Sequence, residues 1–358
     1  MLSAQHTSSV IQPEISELLR MLTYKRRHGS NGEKKFFSNF VQTLKTHKNA
    51  TKYIEDDFGN AFVEVCGGSR VAFSAHTDSV HSMPKSGEGD FQEVLYDKEL
   101  DIIYKADGQP LGADDASGVW MLRRIADAGI PCSLFFFCGE EVGGLGSLWA
   151  SDNNPDYFKQ FDSAVAFDRR GTEDIITHQA GTRCCSDKFA EALADSLNKS
   201  GLSYKPCDGG IFTDTANLTH LIPECLNLSC GYFSEHSGDE TQDVGHLFAL
   251  RDAILKVDWA ALPIERDPSV VEELPWSGFG YASGGWLTSK KSDGFMSSVD
   301  DDYDFRFRKS SPATKYESAT SYDINDLYYM TLNEMVEAAA YFPDEFAEVV
   351  FRLLNEEE

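Results

Sequence analysis

Cationic charge is scarce in this sequence: 32 lysines and arginines stand against 58 aspartates and glutamates in 358 residues, a formal net charge of −26. So negative a balance repels phosphate backbones and anionic lipid, so neither nucleic acid nor a membrane surface is an expected partner. Long apolar runs are missing as well; none approaches the ~18 residues of a membrane-spanning helix. Met1 to Pro13 has neither a basic start nor an apolar centre, which argues against a secretory leader. The eight cysteines are scattered without a C-x-x-C pair, so a disulfide framework is excluded and the thiols point to a reducing compartment. No segment repeats. The expectation is a cytoplasmic protein. Hydrophobic residues make up 41% and charged residues 25%, an ordinary globular composition. At ~100–200 residues per domain, the length suits two domains, or one large α/β domain with an appendage.

The composition changes once, near Leu262. Upstream, apolar runs alternate with helical patterns. Helices are expected at about 14–24, 32–45, 116–128, 186–199 and 243–261. Strands are expected at 63–65 and 70–75, read as successive strands of a hairpin, and at 131–138, 163–167 and 225–230. The run at 131–138 is apolar almost throughout, as in a central strand buried on both faces. Such alternation predicts a three-layer αβα sandwich around a mostly parallel mixed sheet. Residues 1–264 are expected to form the main domain, 265–311 a Gly/Ser-rich and acidic linker, and 312–358 an acidic helical segment. From Glu265 onward there are 20 acidic and 8 basic residues. Phe346, Val349, Val350, Leu353 and Leu354 fall at helical spacing after Pro343, giving one apolar face. A short amphipathic helix must pack on something, either the main domain or a partner chain such as a second copy.

Chemistry-bearing residues gather where these strands end. His76 and Asp78 follow the strand ending at Ala75, Glu140 and Glu141 the strand ending at Cys138, and Asp168 the strand ending at Phe167. His236 comes shortly after the strand ending near Cys230. Asp114 and Asp115 lie in Leu111-Gly-Ala-Asp-Asp-Ala-Ser-Gly118, a loop that opens a helix. Open α/β sheets bind ligands beyond the carboxyl ends of their strands. Taken singly, an H-x-D is a common chance pattern, a Glu-Glu pair is usually solvated, and an Asp-Asp before a helix is usually a cap. Together at strand ends they form a metal-ligand set. Two imidazoles and three carboxylates suit two zinc ions, one carboxylate bridging them at a separation of ~3.5–4 Å, with the bound water acidified from 15.7 toward ~7. A further carboxylate must stand off the metals to take the water's proton, and Glu140-Glu141 supplies both kinds. His76 and Asp78, two apart, point the same way, so Asp78 can accept the second ring N–H of His76.

His76-Thr-Asp-Ser-Val80, Gly112-Ala-Asp-Asp-Ala-Ser-Gly118, Gly139-Glu-Glu-Val-Gly143, Asp168 and His236 resemble the co-catalytic di-zinc exopeptidases, from about Ile15 to Leu255. That superfamily includes leucyl-type bacterial aminopeptidases, tripeptidase T, carboxypeptidases and N-acyl-amino-acid deacylases. The resemblance implies a phosphorylase/hydrolase-like zinc exopeptidase fold. It also implies His76 and Asp168 on one zinc, Glu141 and His236 on the other, and Asp114 shared. Glu140 is then the general base, Asp78 the support of His76, and the Asp114–Asp115 peptide cis. Co2+ or Mn2+ are possible substitutes for zinc. Only 68 positions separate Asp168 from His236, and 38 separate His76 from Asp114. Neither interval holds the lid domain of the tripeptidase T branch or the inserted domain of the shell-forming aminopeptidases, so a compact, aminopeptidase-like core is expected.

Arg169 and Arg170 are candidates for clamping a substrate carboxylate, with salt bridges in an acidic chain as the rival reading. Thr213 and Asp214 resemble a family loop that binds a substrate end; a turn with an Asx cap is the alternative. His81 and His178 are read as ordinary polar residues, with a place near the cleft as the other reading; Cys138, in an apolar strand, is read as core and not as a ligand, and Cys184-Cys185 has no metal spacing and no role. The expected activity is cleavage of a terminal peptide bond by a metallohydrolase acting on a peptide. The alternatives are a carboxypeptidase, an amidohydrolase acting on an N-acyl amino acid, or a metal-binding pseudo-enzyme whose working part is the acidic tail.

Overall fold

The computed structural model describes residues 12–82 and 89–272; the expected segment 312–358, and the linker beyond 272, lie outside the described residues. Helix α1 (Pro13–Leu22) starts with proline in its first turn and buries Ile15, Leu18, Met21 and Leu22, one stripe at helical spacing. Helix α2 (Asn31–Phe36) is capped by Ser30, whose Oγ accepts the Glu33 N–H at 3.2 Å. The single helix expected at 32–45 instead passes through a π turn (Phe37–Val41) into a 3-10 turn (Gln42–Thr46). The change of winding keeps Phe36, Phe40, Val41 and Leu44 all buried.

Strands β1 (Ala50–Glu55), β2 (Ala61–Val65) and β3 (Val71–His76) follow, then the short β4 (Leu95–Asp97) and β5 (Ile102–Tyr104). Helix α3 (Ala113–Ala128) leads to β6 (Cys132–Phe137), helices α4 (Leu145–Asn153) and α5 (Pro155–Phe158), and β7 (Ser163–Arg169). After β8 (Asp174–Ile176), β9 (His178–Gln179) and β10 (Thr182–Arg183) come α6 (Asp187–Asn198), β11 (Lys205–Cys207) and β12 (Glu224–Ser229). The last elements are β13 (Tyr232–Phe233), β14 (Thr241–Asp243) and α7 (Val244–Ile254).

The main sheet has the order β1-β2-β6-β3-β7-β12-β8-β11. Its centre, β6, β3, β7 and β12, is parallel, whereas β2 and β8 run antiparallel to their inner neighbours. It is the mostly parallel mixed sheet with flanking helices that the alternation predicts. Every residue of β3, β6 and β12 is buried, as covering on both faces requires.

The expected hairpin between 63–65 and 70–75 is not formed. β6 lies between them, Leu134 opposing Val63 on one side and Phe73 on the other. An all-apolar strand such as β6 needs a neighbour on each edge. Two strand spacings amount to about 10 Å, which the short connection from β2 to β3 can span. β2 makes its hairpin with β1 instead. The helix expected at 243–261 ends at Ile254, and a separate 3-10 turn (Trp259–Ala261) sets Trp259 edge-on to Phe73, ring centroids 4.9 Å apart.

The chain past 264 continues along the domain. Buried Glu224 accepts the N–H groups of Glu265 (2.9 Å) and Arg266 (3.1 Å), and the Arg183 N–H reaches the Glu272 carbonyl at 2.7 Å. Among the described residues no helix is long and apolar enough to cross a membrane.

Candidate metal centre

Because β3, β6 and β7 are parallel, their carboxyl ends lie on one edge of the sheet, and all three deliver acidic or imidazole groups there. β3 ends on His76, β7 carries Asp168 as its sixth residue, and the loop after β6 holds Glu140 and Glu141. Asp114 comes from the start of α3, where Asp114 and Asp115 have non-helical backbone angles and the peptide between them is cis, as the resemblance implies. His236 lies between β13 and β14 in the left-handed region (φ 62°), a conformation that a non-glycine residue adopts only when its surroundings impose it.

These side chains form two groups that share one carboxylate. His76 Nε2 stands 2.9 Å from Asp114 Oδ1 and 3.3 Å from Asp168 Oδ1. His236 Nε2 stands 3.2 Å from Asp114 Oδ2 and 3.0 Å from Glu141 Oε2. In each group, His76-Asp114-Asp168 and Asp114-Glu141-His236, one ligand atom per residue lies within 4.8 Å of the others. Two donors on a tetrahedral zinc with bonds of ~2.0 Å are about 3.3 Å apart, a spacing that the 2.9–3.3 Å ion pairs of the two histidines here match. Glu141 Oε1 is buried and has no hydrogen-bond partner, an acceptor that a cation satisfies. Oxygen and imidazole nitrogen are both zinc donors, and the residues fit the metal.

Asp78 organises the neighbourhood. Its Oδ1 accepts the N–H groups of Gly139 (2.9 Å) and Glu140 (3.1 Å), and its Oδ2 that of Glu141 (3.2 Å). The same Oδ1 stands 3.5 Å from His76 Nδ1, an ion-pair approach without a hydrogen bond, so one buried carboxylate lies between the glutamate loop and the histidine. Asp115 works as a cap: Oδ1 accepts the Gly118 N–H at 2.8 Å and Oδ2 the His76 N–H at 3.0 Å. Asn227 holds the Asp168 backbone on both sides, at 2.8 and 2.7 Å, and the Tyr232 hydroxyl donates to Asp168 Oδ1 at 3.2 Å.

Burial alone would lower the enclosed His76 imidazole and, more weakly, that of His236, whose side chain is half exposed, yet the carboxylates dominate. Asp168, Asp114 and Asp78 hold His76 well above its ordinary value, while Asp114 and Glu141 push His236 up to about 12. Burial works the other way on Asp114, whose hydrogen bonds to His236 and His76 keep its carboxyl below the usual range. Glu141 is raised to about 7 by burial and by Asp114, and Glu140 well above its ordinary value by burial and the negative charges of Asp168, Glu141 and Asp214. Negative charge is thus concentrated well beyond what two imidazoles balance, the electrostatic setting of a divalent-cation site.

The four substrate candidates fare differently. Arg169 is bonded to Asp174 at 3.1 Å and Arg170 to Glu235 at 3.3 Å, so both engage protein carboxylates. Thr213 and Asp214 are buried beside the site: the Thr213 N–H donates to Gln179 Oε1 at 2.9 Å, and Asp214 Oδ1 has no hydrogen-bond partner. Cys138 belongs to the core, where its N–H donates to Asn60 Oδ1 at 3.1 Å. His178 is buried, with Nδ1 3.0 Å from the Thr177 hydroxyl.

His81 is buried behind the Asp114 loop. Its Nδ1 accepts the Arg26 N–H at 3.1 Å and its Nε2 lies 3.2 Å from the Pro110 carbonyl, a pattern that suits the neutral ring. Burial, with Arg26 and Lys105 nearby, lowers it from 6.5 to about 3. Between those values the unfolded chain binds the extra proton, so this residue removes stability as pH falls from 6.5 toward 3. In urea titrations over that range, His81→Gln is expected to flatten the fall of unfolding free energy with acidification, by up to ~1.4 kcal/mol per pH unit. An unchanged slope would contradict a neutral His81.

No protein-family model and no curated sequence matches this chain. Solved structures do match by fold. Aminopeptidase PepT from Bacillus cereus aligns with a TM-score of 0.52 at 13% identity, over 68% of this chain and 96% of that one. A Staphylococcus aureus tripeptidase aligns at 0.53 and 13% identity, again over 68% and 96%. The Pyrococcus horikoshii TET1 peptidase, which can assemble into a tetrahedron or a large octahedral shell, aligns at 0.53 and 17% identity, over 68% and 98%. The chain has the fold of these aminopeptidase and tripeptidase structures.

Proposed function

We propose that this chain is a di-zinc exopeptidase that removes residues from the amino terminus of peptides. The observation that carries the reading is the division of one carboxylate: Asp114 Oδ1 faces His76, on which Asp168 also converges, while Asp114 Oδ2 faces His236, on which Glu141 also converges. His76 and Asp168 would hold one ion, Glu141 and His236 the other, and Asp114 both. Bound zinc supplies Lewis acidity for the scissile carbonyl and makes water acidic enough to react near neutral pH.

The chain's own residues supply the rest. Glu140 belongs to neither ligand group, and its backbone is fixed by Asp78 and by the Gly143 and Gly144 N–H groups that its carbonyl accepts, each at 2.9 Å. Its carboxylate takes the proton of the attacking water and passes it to the leaving nitrogen. The negative charge around the site favours a substrate with a free α-ammonium group. The engagement of Arg169 and Arg170 with Asp174 and Glu235 favours it over a carboxylate-anchored substrate. Eight free thiols, six of them buried, support a reducing, cytoplasmic setting.

A panel of aminoacyl-anilides, N-acyl amino acids and carboxypeptidase peptides tests the proposal. With zinc, kcat/KM on the anilides is expected to exceed that on the other two classes by at least ~100-fold, the discrimination that a mispaired end group imposes at ~2.7 kcal/mol. A preference for N-acyl amino acids would make the chain a deacylase.

A further inference from the structure

We propose that Arg26 and Glu240 act as a two-sided clamp that positions the Asp114 carboxylate between the two ion positions; the proposal rests on the metal reading above. Both side chains are buried. Glu240 Oε2 accepts the Gly112 N–H at 2.9 Å and its Oε1 the Asp114 N–H at 3.1 Å, so one carboxylate brackets Ala113. Arg26 Nη2 donates to the Gly112 carbonyl at 2.7 Å and to the Asp114 carbonyl at 3.3 Å. Two side chains of opposite charge therefore take both backbone groups of Gly112 and both of Asp114. The fit is tight: Gly112 has φ 77°, and a Cβ there would meet His81 Cε1 at 2.6 Å.

Burying such charges is costly because they lose their hydration, and for packing alone an apolar side chain of similar volume would fill the same space. Arg26 is fully enclosed with its face 4.5 Å over the Phe36 ring, and its Nε and Nη1 find no hydrogen-bond partner. The charges that face it are Asp115, Glu240, Asp114 and Asp78. The clamp also connects three segments of the site. Arg26 donates its N–H to His81 and accepts the Ser79 N–H at 3.0 Å, just past β3. Glu240 lies four residues beyond His236 on the loop that carries it. Arg26 and Glu240 are thus positioning residues, acting on the ions only through Asp114.

Hydrogen exchange on the metal-free protein reads the clamp without any catalysis. In Glu240→Gln, where an amide NH2 faces a backbone N–H, the peptide spanning 111–116 is expected to exchange at least ~10-fold faster than in the wild type. Zinc affinity, measured by chelator competition, is expected to fall ~10–100-fold, and kcat to fall with little change in KM. Arg26→Lys keeps the charge but not the planar fork and is expected to show a smaller shift in the same direction. It decides the matter if circular dichroism shows Glu240→Gln unfolded. Unchanged exchange of that peptide in a folded variant overturns the clamp, whereas a wild-type protein that takes up no zinc overturns the metal reading instead.

Discussion

Glu140→Gln is expected to bind as much zinc as the wild type and to lose ~10²–10⁴-fold in kcat, the range that general acid–base groups contribute. The two halves of this result have separate causes. Metal content is preserved because neither group of converging donors includes Glu140. Turnover is lost because a carboxamide cannot accept the proton of the attacking water. The local fold should tolerate the change, since the loop is held through backbone bonds to Asp78 and between Glu140, Gly143 and Gly144, none of which involves the Glu140 side chain. Metal analysis and initial rates on the same preparation check both halves. Near-wild-type turnover would remove Glu140 from the reaction.

Asp114→Ala is expected to have the larger effect on metal, because one substitution removes a donor from both groups at once. Zinc should fall below one ion per chain after dialysis, with activity at background. Asp168→Ala and His236→Ala each touch a single group and should leave the other ion in place. The contrast extends to stability. A ligand that binds only the folded state stabilises it by about 2.7 kcal/mol at 100 times its dissociation constant. Added zinc should therefore raise the melting temperature of the wild type clearly and that of Asp114→Ala little. If Asp114→Ala and Asp168→Ala lost equal amounts of zinc, the shared role of Asp114 would be wrong.

Much of this architecture is visible in local sequence because buried parallel strands are nearly uniform in their apolarity. Cys132–Phe137 and Glu224–Ser229 stand out for that reason, and a histidine or carboxylate just past such a run lies at the sheet edge where sites form. Strand pairing is a different matter. β2 and β3 are near neighbours in sequence and resemble a hairpin, but their true partner, β6, comes from more than fifty residues away. Strands of two or three residues, such as β4, β5, β13 and β14, are too short to show a period. The supports of the site were the least visible. Arg26 sits in Lys25-Arg26-Arg27, which resembles a solvated basic face, and Glu240 follows Gly238-Asp239 in a polar loop. Both draw their roles from backbone groups more than eighty residues distant. Asn227 did carry a signal, a polar side chain inside an apolar strand, whose partner proves to be the Asp168 backbone.

The most direct test is a crystal structure of zinc-loaded protein, with anomalous data collected on both sides of the zinc absorption edge. Two peaks are expected, ~3.5–4 Å apart, with one oxygen of Asp114 on each. The first should be completed by His76 and Asp168, the second by His236 and Glu141, with Glu140 coordinating neither. A single peak, or two peaks without Asp114 between them, would contradict the di-zinc centre and the hydrolase derived from it.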